Sequence, residues 1–178
     1  QGAEEPAVYY LQAGRAARAG RDEVARQIWW QTGGAFEETA AGLLLDGIIE
    51  YRSGNAAVAV DRLSQLSRMQ PGNDLARVLL ARALVANGEA NVAIRLLLPL
   101  AGRPDASPYV LVLTGRAYEQ LGQRDRAAPL LDRASAMTGG TAGASPALVL
   151  LDDGGRMERP DDLVQHLRGL FRQGSVSE

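Results

Sequence analysis

Few residues in this chain could carry covalent or metal chemistry. His166 is the single histidine and cysteine is absent. A paired-histidine metal site, a thiolate site and a disulfide framework are therefore excluded. A histidine-centred relay would rest on His166 alone. With Leu163, Leu167 and Leu170 around it at helical spacing, His166 reads as a surface or partly packed residue. Adjacent carboxylates at Glu4–Glu5, Glu37–Glu38 and Asp161–Asp162 stand at predicted helix starts, where negative charge suits the helix dipole. Asp152–Asp153 invites a metal reading, but two glycines follow it and the four read as a solvated turn. No nucleophile elbow, phosphate-binding loop or GxGxxG fingerprint occurs. GLLLDG at 42–47 has the spacing of helical sequence and is no phosphate cradle. The expectation is a protein without catalytic residues, metal or cofactor.

Composition narrows the remaining classes. The 178 residues suffice for a sizeable core, and 46% hydrophobic with 22% charged residues is a globular balance. Alanine, leucine and glycine carry the apolar content, which favours closely packed helices over a sandwich of sheets. The net charge of −2 leaves no footprint for nucleic acid. All 19 basic residues are arginine, which a GC-rich genome explains. No apolar run approaches the ~18 residues of a membrane span. The absence of cysteine leaves bacterial cytoplasm and periplasm both open. No leader is visible and the chain starts at Gln1, so it reads as a mature product, a processed chain or a fragment.

The elements that position everything else come from repetition. Gly20, Gly54, Gly88 and Gly122 recur every 34 residues. Five residues after each stands Ala25, Ala59, Ala93 or Ala127, and four further on Trp29, Leu63, Leu97 or Leu131. Seven residues before each stands Ala13, Gly47, Ala81 or Gly115. Each copy reads as two amphipathic helices, A and B, meeting at the glycine, which closes a helix without strain in the left-handed region. Predicted A helices cover 6–19, 37–52, 74–86 and 108–121, and B helices 22–32, 56–69, 90–100 and 124–137. Pro6 and Pro108 suit a first helical position. Pro129 inside the fourth B helix predicts a bend or a late start there.

Small residues at repeat positions 8 and 20, glycine at 15 and a large apolar residue at 24 resemble the tetratricopeptide repeat. The fourth copy, with Gly115, Tyr118, Gly122, Ala127, Leu131 and Ala134, fits that family's pattern best, and Pro71 in the second copy stands at its position 32. The first copy departs most, with Ala16 and Glu37 where Tyr and Pro are usual. The resemblance implies an all-α fold, a right-handed superhelical array of antiparallel helix pairs. Its four repeats would span 6–39, 40–73, 74–107 and 108–141. Positions 8 and 20 would be the closest helix crossing, and position 24 would fill the space between repeats.

The same resemblance implies that the A helices line a concave groove. Its candidate partner-binding residues are Tyr10, Arg18, Leu44, Ile48, Tyr51, Arg52, Val78, Arg82, Val85, Tyr109, Val112 and Arg116. Arginine forks, aromatic rings and aliphatic side chains together suit a protein or peptide segment that is apolar with acidic groups. The family's two-carboxylate clamp is not matched, because Gly14 and Ile48 occupy its Asn positions, so a chaperone tail is disfavoured.

Residues 142–159 read as an insertion, either an extended arm or a small hairpin. Residues 160–173 read as helix A of a fifth, cut repeat or as a capping helix. An uncapped end there would offer a surface for self-association. The leading functional expectation is a protein–protein scaffold in assembly of a larger bacterial complex, with resemblance to envelope, secretion, pilus or export proteins. A carbohydrate-binding or exopolysaccharide-export scaffold, with tyrosines stacking on sugars, and a regulatory arm of a larger multidomain protein are the alternatives.

Overall fold

A computed structural model describes residues 4–138; the expectations for 142–159, 160–173 and His166 lie outside them. Eight helices follow one another among the described residues: α1 Glu4–Arg18, α2 Asp22–Trp30, α3 Ala40–Arg52, α4 Ala56–Met69, α5 Asp74–Ala86, α6 Ala90–Ala101, α7 Pro108–Gln120 and α8 Arg124–Thr138. No strand occurs among the described residues. Each helix packs on the next, giving an all-α stack of antiparallel pairs. The odd-numbered helices are the A helices of the sequence reading and the even-numbered ones the B helices.

The periodic glycines act as expected. Gly20, Gly54, Gly88 and Gly122 have φ of 72°, 84°, 84° and 72°. After each, the next amide reaches back across the helix end: Arg21 to Ala16, Asn55 to Glu50, Glu89 to Leu84 and Gln123 to Tyr118, at 2.7–3.0 Å. These bonds satisfy carbonyls that the helix end would leave bare.

A second 34-residue signal, overlooked in the sequence, opens the A helices. Thr39, Asn73 and Ser107 each accept a hydrogen bond from the amide three residues on, at Gly42, Ala76 and Val110. Side-chain caps of this kind satisfy orphan amides at a helix start.

The core forms where the repeat puts small residues. Ala81 and Ala93 are fully buried in one cluster that runs through the second, third and fourth copies. Position 24, however, presses on position 8 of its own copy. A Cβ at Gly47 would lie 2.7 Å from Leu63 Cγ, and one at Gly115 2.7 Å from Leu131 Cδ2. The leucines occupy the room the glycines leave, so this close approach stands beside the alanine crossing.

Helix bounds differ from the sequence reading around 31–39. α2 stops at Trp30 and α3 waits until Ala40. Between them the chain makes successive turns, with Gly33 and Gly34 at φ 59° and 82°. Phe36 folds back onto Tyr10, and its carbonyl lies where a Cβ on Gly42 would be. Glycine at 42 therefore lets the turn lie on α3. At the other end, α8 begins at Arg124 despite Pro129, so the late start is not observed. α6 likewise carries Pro99 in its last turn.

Candidate partner-binding face

A stack of helix pairs curves toward the row whose members lie closer together. α1 touches α3 and α5 touches α7, while no two B helices approach one another to that extent among the described residues. The A helices thus form the inner row. Along it, one helical stripe per A helix is partly open: Ile48 and Tyr51 on α3, Val78, Arg82 and Val85 on α5, Tyr109 and Val112 on α7. The aliphatic residues and tyrosines of this set also pack on the core beneath. Leu44, from the same set, is buried in that core.

The centre of this stripe is a rung built from three copies. Arg82 Nε donates a 2.7 Å hydrogen bond to the Tyr51 hydroxyl, and its guanidinium lies 4.8 Å from the centre of the Tyr51 ring. The Tyr109 hydroxyl is hydrogen-bonded to the same guanidinium. Burial works against the charge on Arg82, but Tyr109 and Tyr51 outweigh it and hold its pKa above the ordinary value. Burial raises the Tyr109 pKa, opposed by Arg82 and by Arg116. Arg116 is exposed two helical turns along α7 from Tyr109. Two cations therefore act on one half-buried tyrosine, inside a patch otherwise apolar. Such a surface can stack on planar groups, accept apolar side chains and pair with carboxylates.

The remaining candidates are not brought to this rung. Tyr10 packs at 4.9 Å on Phe36 and at 6.4 Å on Trp29, and burial raises its pKa. Arg52 points across the first junction, 2.9 Å from Asp22 Oδ1 and donating at 2.8 Å to the Ala17 carbonyl. Gln120, at the same repeat position in the fourth copy, donates to the Val85 carbonyl at 3.3 Å. In these two copies position 13 latches a helix end of the preceding copy. Arg18 holds that position in the first copy and is partly exposed. Tyr10 thus lies against Phe36, while Tyr51 carries Arg82 on its face.

Sequence reasoning passed over three other polar features. Asp46 and Glu50 are buried on α3, with Arg62 Nε 2.8 Å from Asp46 Oδ2 and Asn55 Nδ2 2.6 Å from Glu50 Oε2. Burial raises the Asp46 pKa, and Glu50 and Glu37 add to it against the pull of Arg62. Their signal was two acids one turn apart where the third copy has Leu80 and Leu84. Arg133 donates to the carbonyls of Ala101, Arg103 and Pro104, holding the turn after α6. Trp30 is 64% exposed beneath the Arg26 guanidinium, away from the A-helix row. Among the described residues no group of acidic, histidine or cysteine side chains could hold a metal. No helix among them is long and apolar enough to cross a membrane.

Comparison with known proteins agrees with this architecture. Residues 50–110 match the tetratricopeptide repeat family. Two crystal structures of TPR-like repeats, described as those of a kinesin light chain from Podosopora anserina, superpose with TM-scores of 0.58 and 0.59. Each is 20% identical, with 96% of both chains covered, which establishes likeness of fold. No curated protein matches the chain. Tetratricopeptide repeats are typically interaction modules, and these matches indicate no catalytic family. Residues 50–110 thus match tetratricopeptide repeats, and the helix pairs of the described residues share the fold of TPR-like repeat structures.

Proposed function

We propose that this protein is a scaffold that holds a peptide or helical segment of another protein along its A-helix row. The partner is apolar with acidic groups. The observation that carries the reading is the rung of Tyr51, Arg82 and Tyr109, which joins three successive copies at the centre of a partly open apolar stripe. Apolar anchors would seat among Ile48, Val78, Val85 and Val112, and a carboxylate would face Arg82 and Arg116. Arginine and tyrosine are the residue types most often found at the energetic centre of interfaces. The four repeats at 6–39, 40–73, 74–107 and 108–141 remain the proposed organisation of this scaffold.

Charge reversal tests it. Arg116→Glu, alone and with Arg82→Glu, should weaken capture of the natural partner. Arg68→Glu with Arg95→Glu, on exposed positions of α4 and α6, should not. Melting curves taken alongside separate lost binding from lost folding, since Arg82 also joins its neighbours. Equal loss from both pairs of variants would remove the A-helix row as the binding face.

A further inference from the structure

The first junction of the array is built differently from the others. α2 has only nine residues, and few of them reach α3, whereas α4 and α6 lie along the helices that follow them. The first copy keeps its own core of Ala13, Ala16, Ala17, Ala25 and Trp29, which the second copy enters through Ile49 and the partly buried Leu45. Charged groups lie near it as well. Arg52 bridges to Asp22 and to the Ala17 carbonyl, and Asp46 is flanked by Arg62, Glu50 and Glu37. Arg26 Nε and Ser53 Oγ are buried without a hydrogen-bond partner in the protein. The connecting chain holds two adjacent glycines in the left-handed region, Gly33 and Gly34.

We infer that residues 4–30 form a flap that rocks as a body against residues 40–138, hinged at Gln31–Thr39 and pinned by Arg52. This goes beyond the groove reading and does not depend on it. In a stacked array each copy is held by its neighbour interfaces, so a copy joined through a small apolar interface opens first. A pin of charged groups suits such a hinge. It is specific in geometry, yet its net stabilisation is small because both ions are desolvated when it closes. When the flap opens, the Ala17 carbonyl and Asp22 return to water and Arg52 swings free of both. The N-terminal end of the A-helix row then changes curvature, while the rung at Arg82 stays intact.

Hydrogen exchange read by mass spectrometry on the whole chain tests the flap. In the wild type, amides of 4–30 should exchange through an opening that leaves 56–120 protected. Arg52→Met should speed exchange in 4–30 by on the order of tenfold or more, because it strands Asp22, and leave 56–120 unchanged. Should that variant fail to fold, Asp22→Asn removes one partner while Arg52 keeps the Ala17 carbonyl, and a smaller selective increase is expected. A rise spread evenly over both blocks, or no rise in either variant, overturns the hinge.

Discussion

The second and third copies present the same repeat positions with different chemistry. On α3, positions 7 and 11 are Asp46 and Glu50; on α5 they are Leu80 and Leu84. Position 23 on the facing B helix is Arg62 in one and Leu96 in the other. All four A-helix residues are buried, so the backbone of the repeat accepts either set. The leucine set joins the continuous core of copies two to four, whereas the acidic set is paired with Arg62 and Asn55 of its own copy. Repeat register thus determines where helices lie, and the side chains within that register determine how firmly one copy holds the next.

The comparison breaks most sharply if the charge is moved. Leu80→Asp places a carboxylate at position 7 of the third copy, opposite Leu96 instead of an arginine. An uncompensated buried charge costs roughly 3–5 kcal/mol, so this variant should lose most of its stability in urea. A loss below about 1 kcal/mol would mean that the α5 position is as tolerant as the α3 one.

Next comes the turn that sets the first copy apart. Gly42→Ala puts a methyl against the Phe36 carbonyl, so the 31–39 turn must lift from α3. The expected cost is about 3 kcal/mol, the upper range for overpacking. Gly72→Ala, with nothing within 4 Å of its added methyl, should change the melting temperature little. If the two variants melt alike, the turn is not packed as described.

A smaller effect sharpens the acidic side of the comparison. Burial raises the Asp46 pKa above its unfolded value of 3.8. The folded state therefore binds the proton more readily than the unfolded one. Its contribution to stability is fully present below the unfolded pKa and is lost as pH rises through the folded pKa. The stability of the wild type relative to Asp46→Asn should accordingly grow as pH falls from neutral through that window. A relative stability that stays flat, or falls with pH, would show Asp46 to be held chiefly by Arg62 instead.

Most of the architecture was legible because it is periodic. Four glycines, four alanines and four large apolar residues at one spacing require only that each copy fold like the last. The caps at Thr39, Asn73 and Ser107 were legible by the same spacing, although the glycines drew the reading first. What escaped is what differs between copies. Nothing local marks α2 to end at Trp30, because Gln31–Thr39 leaves the helix to let Phe36 meet Tyr10. Repeat position placed Arg52 in the groove, but Asp22 and the Ala17 carbonyl, distant in sequence, draw it into the junction. The rung at Arg82 combines Tyr51 and Tyr109, each 27 or more residues away, and only stacking of three copies brings them together.

Both tryptophans, Trp29 and Trp30, belong to the first copy, which makes the central contrast directly measurable. Urea unfolding followed by tryptophan fluorescence reports that copy, and far-ultraviolet circular dichroism reports all the helices. A charge-pinned first copy on a continuous core of copies two to four predicts two transitions, with the fluorescence midpoint at lower urea than most of the helical signal. Coincident curves from the two probes would show a single cooperative unit, and would contradict the division between the first copy and the rest.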